Sequence, residues 1–142
     1  MMLKEFAIDR VYQGSLGKGV DLLGGLLDVM QQHGLSAGMV QGIGSVSQAR
    51  LAYYNQETRV YEEKNFPEHL EIVSLRGNIS LKDHAIFPHL HAVLSRRDFS
   101  AIGGHVLPET HVFAFEFEII SFVGEPLSRR YDDATGLSLW RK

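Results

Sequence analysis

His111-Val112-Phe113-Ala114-Phe115-Glu116-Phe117-Glu118-Ile119-Ile120-Ser121-Phe122 is the stretch whose reading decides the fold. In an extended chain, side chains alternate between two faces. Phe113, Phe115, Phe117 and Ile119 then share one face, while Ala114, Glu116, Glu118 and Ile120 share the other. The first face reads as core, which predicts a half-buried strand over 111–123. Similar runs, punctuated by Gly, Asn, Asp and Pro, predict strands over 35–43, 48–54, 58–62, 70–80 and 89–95, with a terminal strand over 137–140 that packs Trp140. Only one segment has helical spacing. Val20, Leu23, Leu26, Leu27 and Met30 recur every three or four residues, which predicts a helix over roughly 19–33 stopped by Gly34, with His33 complementing the dipole of its last turn. Gly24-Gly25 inside it costs on the order of 1 kcal/mol per residue against alanine, so close packing against a sheet is expected there. One helix followed by strands, with no alternating helices, argues for an α+β fold: a mainly antiparallel sheet with the N-terminal helix packed on it.

Composition bounds what such a fold does. At 142 residues the chain has the size of one domain, and no linker or internal repeat divides it, so 1–142 is expected to be a single unit. Hydrophobic residues make up 44% and charged residues 22%, which excludes long disorder. Cysteine is absent, so disulfides are excluded and any metal must be held by nitrogen and oxygen. The start, Met1-Met2-Leu3-Lys4-Glu5-Phe6, lacks the apolar core of a signal peptide, and no apolar run reaches membrane-spanning length, so a cytoplasmic protein is expected. A formal net charge of −3 disfavours stand-alone DNA binding, which draws its affinity from Lys and Arg on phosphates. The pairs Arg96-Arg97 and Arg129-Arg130 read as solvated, although an oligomer would gather several copies.

Chemistry is concentrated in Pro88-His89-Leu90-His91-Ala92 and Gly103-Gly104-His105-Val106. On a strand, His89 and His91 point the same way. If the strand turns back through Arg96, Arg97 and Asp98 with a three-residue loop, paired residue numbers sum to 194 or 196, which sets His105 opposite His89 or His91. Directly opposed Cβ atoms lie about 4.5–5.5 Å apart, and imidazole–metal bonds are about 2.0–2.1 Å. The three rings could therefore share an ion. A two-residue loop would instead oppose His105 to Leu90 and send it to the wrong face unless Gly103-Gly104 formed a bulge. Three histidines with an open fourth position suit a catalytic zinc better than a closed structural one. The bland alternative is that hydrogen-bonded histidines cluster by chance. Asp83, Glu109 and Glu116 are candidate bases only through nearness in sequence.

Gly42-Ile43-Gly44-Ser45, the strand 49–54, Leu70-Glu71-Ile72-Val73-Ser74-Leu75-Arg76-Gly77-Asn78-Ile79, and then the His-x-His and Gly-Gly-His pieces occur in an order that resembles the plants-and-prokaryotes-conserved (PPC) domain. The likeness runs from about Phe6 to Trp140, and the histidine pieces are its most specific part. It implies an α+β fold assembled as a homotrimer, with a metal, usually zinc, on the residues here numbered His89, His91 and His105. It also implies an association with DNA, which in plants comes through a preceding AT-hook. Here Arg76-Gly77-Asn78 is not an AT-hook, and residues 1–6 offer no basic arm, so direct binding to DNA is not expected of these residues.

Rival motifs fail on particular residues. A cupin would need a glutamate where Leu94 or Ser95 stands. The third glycine of a dinucleotide fingerprint beginning Gly42-Ile43-Gly44 would fall on Ser47. A phosphate loop ending Gly17-Lys18-Gly19 lacks both its first glycine, at Tyr12, and its Ser or Thr, at Gly19. The expectation is a trimeric, metal-binding assembly or regulatory module near DNA. The alternatives are a zinc-dependent enzyme acting on a small molecule at the open coordination position, and an oligomeric scaffold with structural histidines.

Overall fold

The computed structural model describes residues 2–141. It contains β1 (Ala7–Leu16), α1 (Leu22–Gln32), β2 (Gly38–Asn55), β3 (Val60–Phe66), β4 (Leu70–Lys82), β5 (Ala85–Ser95), β6 (Ala101–Val106), β7 (His111–Val123), β8 (Ser128–Asp132) and β9 (Leu137–Arg141). The strands form one sheet in the order β1-β7-β2-β6-β5-β4-β8-β9, with β3 on β2. All pairings are antiparallel except β4 with β8. Because β4 also pairs with β2, the strands β2, β6, β5 and β4 close a ring. The fold is α+β with a mainly antiparallel sheet, as one helix among a run of strands predicts. No helix among the described residues is long and apolar enough to cross a membrane.

Three departures from the sequence reading have local causes. In β7, Ala114 pairs with Ser45 and Val112 with Val46, so Phe113 is the extra residue of a bulge. The bulge reverses the alternation: Phe113 is exposed, while Val112 joins Phe115, Phe117 and Ile119 in the core. The helix starts later than its apolar spacing suggests, because the Asp21 carboxylate caps it by accepting from the Gly24 amide at 2.7 Å. Its inward face is Leu22, Gly25, Leu26 and Met30 rather than one running from Val20 through Leu23 and Leu27. A side chain at Gly25 would press on Leu16 and Val20, so tight packing against the end of β1 accounts for that glycine. Gly34, at φ 64°, is the left-handed stop. β1 and β8 carry no clear apolar alternation and are not evident in the sequence; β1 is an edge strand exposed along most of its length.

The core is one cluster. Leu22, Leu26 and Met30 of α1, which packs on β5, join Leu90, Ala92 and Leu94 of β5, Leu75 and Ile79 of β4, and the inward residues of β2 and β7. Since Leu90, Ala92 and Leu94 take the inner face of β5, His89, His91 and Val93 are turned to the outer face.

Candidate metal centre

Two hairpins place the imidazoles. The β4–β5 connection is the two-residue turn Asp83-His84, with both residues at positive φ as a type I′ hairpin requires, and it sets His89 opposite Asn78 and His91 opposite Arg76. The β5–β6 connection is closed by Arg96 and Ser100, whose backbone bond measures 2.9 Å, around the three residues Arg97, Asp98 and Phe99. Phe99, at φ 64°, supplies its left-handed position. Paired numbers across this hairpin sum to 196, and His105 lies directly opposite His91. Gly103 and Gly104 let β6 fit between its neighbours: a Cβ on Gly103 would lie 2.7 Å from the Ala92 carbonyl oxygen, and one on Gly104 2.8 Å from that of Ala52.

The three rings converge. Their centroids are 5.0 Å (His89–His105), 5.1 Å (His89–His91) and 5.4 Å (His91–His105) apart. One nitrogen from each lies within 4.8 Å of the others, an arrangement that could hold a metal ion. The Nε2 atoms of His89 and His91 are 3.2 Å apart. That separation fits either one hydrogen bond or two ligands of a common ion at about 2.0–2.1 Å in tetrahedral geometry. The buried Nδ1 of His105 has no hydrogen-bond partner among the described residues. A buried nitrogen of this kind ordinarily finds a partner, so the donor set fits a metal.

Electrostatics keep the rings neutral, as ligands must be. Burial, followed by the charges of Arg129, His105 and His91, lowers the pKa of His89 to about 4. Burial, then His91 and Arg129, lowers that of His105 to about 4 as well. Burial alone moves His91 in the same direction.

Arg129 of β8 reaches the same group of rings. Its Nη2 donates to Asn78 Oδ1 at 2.7 Å and lies 3.2 Å from His89 Nδ1. A guanidinium only donates, so in this arrangement His89 accepts at Nδ1 and carries its proton on Nε2, which donates to His91. Arg129 is 9% exposed, which corrects the solvated reading for this one residue, while Arg97 and Arg130 are exposed as expected. Tyr61 of β3 also approaches, its ring centroid 5.6 Å from that of His105. The sequence reading missed Arg129 and Tyr61 because neither shares a motif with the histidines. The available signal was the hairpin pattern of 128–132 and 137–141 around a Gly-containing turn.

None of the candidate bases belongs to this site. Asp83 is in the β4–β5 turn, the Glu109 side chain pairs with Arg50 at 3.3 Å, and Glu116 lines a different concavity beside Ile43 and Val73. The cavity holding His89 and His105 is lined by one carboxylate, Glu63, which is paired with Arg50 at 2.5 Å.

A profile of the Plants and Prokaryotes Conserved (PCC) domain matches residues 3–124. The chain belongs to this family. Among solved structures, the PCC-domain chain is similar to a metal-containing protein from Archaeoglobus fulgidus, at 36% identity and TM-score 0.95 over 100% of both chains. It is also similar to a plant- and prokaryote-conserved (PPC) protein from Pyrococcus horikoshii, at 28% identity and TM-score 0.93 over 100% of this chain and 98% of that one. A Bacteroides thetaiotaomicron protein provisionally named as DNA-binding is similar at 29% identity and TM-score 0.85 over 96% of each chain. No curated protein matches the chain.

Proposed function

We propose that this PCC-domain protein is a homotrimer that holds a zinc ion on His89, His91 and His105 of each chain and works as a DNA-associated or regulatory assembly module, with 1–142 acting as one domain. The convergence of three neutral imidazoles carries the metal reading, and the metal-containing relative at 36% identity supports it. Zinc suits a nitrogen-only donor set in a chain without cysteine. When bound there, zinc supplies a Lewis acid. Self-association is supported by Ile43, Val73 and Val93, exposed apolar side chains on neighbouring strands. The provisional naming of the 29%-identical relative supports an association with DNA. A module is preferred to an enzyme because Glu63, the carboxylate at the cavity, is committed to Arg50. The second reading, a zinc-dependent enzyme acting on a small molecule, draws its support from the cavity itself.

Metal analysis of untagged protein tests the central claim. After zinc supplementation and desalting, the expected result is about one zinc per chain, lost in His91→Ala while the protein stays folded. A variant retaining full occupancy would remove His91 from the ligand set, and wild type without stoichiometric metal would remove the site.

A further inference from the structure

A cavity of about 430 Å³ opens beside the imidazoles, bounded by His89, His105, Tyr61, Phe87, Lys82 and Arg129, with Leu137 and Leu139 of the β8–β9 hairpin as apolar wall. Arg129 is unusual for a residue so deeply placed. Its guanidinium lies 5.4 Å from the Phe87 ring and 5.5 Å from the Trp140 ring. It donates from Nε to Ser80 Oγ at 3.0 Å, from Nη1 to the Ser138 carbonyl at 3.1 Å, and from Nη2 to Asn78 and His89. These contacts use four of its five N–H groups. Every acceptor is neutral, and Arg129 has no carboxylate partner among the described ion pairs. A buried charge without a counter-ion is costly. Lys82, the second cation on the cavity, holds its Nζ 5.4 Å from the Phe87 ring centroid and has no carboxylate partner among the described ion pairs. Glu63 is the cavity's one carboxylate, and Arg50 neutralises it. The histidines are neutral and bring no negative charge to an ion held on them.

We propose that this cavity is a binding site for a small anionic molecule, whose phosphate or carboxylate group is held by Arg129 and Lys82 while its remainder lies between the aromatic and leucine walls, facing the imidazoles. The orientation toward the imidazoles rests on the proposed metal reading of the histidines; the anion seat on Arg129 does not. The unused N–H of Arg129 supplies a donor, and the guanidinium supplies the charge that the fold leaves uncompensated. An anion that draws Nη2 away from His89 would also release Nδ1 of that ring from its role as acceptor, so occupancy of the two sites is linked.

The test is calorimetric titration of the metal-free protein with inorganic phosphate and, separately, with benzoate, which distinguishes a phosphate from a carboxylate ligand. Binding of at least one probe is expected, weakened about tenfold or more in Arg129→Gln and several-fold in Lys82→Gln, and unchanged in Arg97→Gln, an exposed control in the β5–β6 turn. Should Arg129→Gln fail to fold, Lys82→Gln decides the matter. No binding of either probe up to about 10 mM, or binding indifferent to both cavity variants, would overturn the proposal. Displacement of the bound probe by a short DNA duplex would overturn its assignment to a small molecule. Cobalt loading followed by visible absorption is measured in parallel. If cobalt is not retained yet the Arg129-dependent binding persists, the metal reading fails and the anion site stands.

Discussion

His89 and His105 sit in surroundings that resist protonation, and this makes stability depend on pH in a definite direction. Their folded pKa values, about 4, lie below the ordinary 6.5 of the unfolded chain. Above about pH 7 both states leave the rings neutral, so no penalty arises. As pH falls from about 6.5 toward 4, the unfolded chain takes up protons that the folded chain refuses, and stability declines across that window. In the metal-free protein the urea midpoint should fall between pH 7 and pH 5, and replacing both rings by glutamine should flatten the decline. Equal slopes for the two proteins would show that other groups set it. The histidine positions were legible in the sequence because a period-two strand leaves little choice about where residues 89 and 91 point. Arg129 was not, since its burial depends on Phe87, Trp140 and Ser80 arriving from three other strands.

At the scale of elements, Asp21 joins two parts of the chain. One carboxylate oxygen caps α1 and the other accepts from the Glu109 amide at 2.6 Å, tying the helix start to the segment between β6 and β7. Loss of a helix N-cap typically costs about 0.5–2 kcal/mol, and Asp21→Ala removes the second bond as well, so a destabilisation near about 2 kcal/mol is expected. Chemical denaturation with an unchanged m value would check it, and a cost below about 0.5 kcal/mol would show that the cap is replaceable. The long inward-facing strands could be read from alternation; β1 could not, because an edge strand with one neighbour has little surface to bury and hence little pattern. The sequence also suggests two strands over 35–43 and 48–54, where the structure has the single β2, whose register against β4 shifts between Gly42 and Gly44 without breaking the strand.

For the whole molecule, the exposed apolar residues Ile43, Val73 and Val93 belong at the proposed contact between copies. Light scattering is expected to give three times the chain mass of 15.9 kDa, and Val73→Glu to shift the population toward monomer. A monomeric wild type would end the trimer proposal. Binding to an AT-rich duplex, followed by fluorescence anisotropy, should be weak, because the chain carries a net charge of −3, and should weaken further as salt rises, because any affinity comes from Lys and Arg on phosphates. A salt-independent signal would point away from phosphate contacts. Net charge and size were legible at once, whereas the ring closure between β4 and β2 depends on register across distant strands.

β2 gives and accepts backbone hydrogen bonds with β3, β4, β6 and β7. During synthesis it leaves the ribosome well before β7, whose Glu118 must find Gln41. Until then the edge of this strand that β7 covers, from Gly38 to Gln48, has no neighbour, and the nascent chain depends on chaperones or on speed to avoid sticking to others like itself.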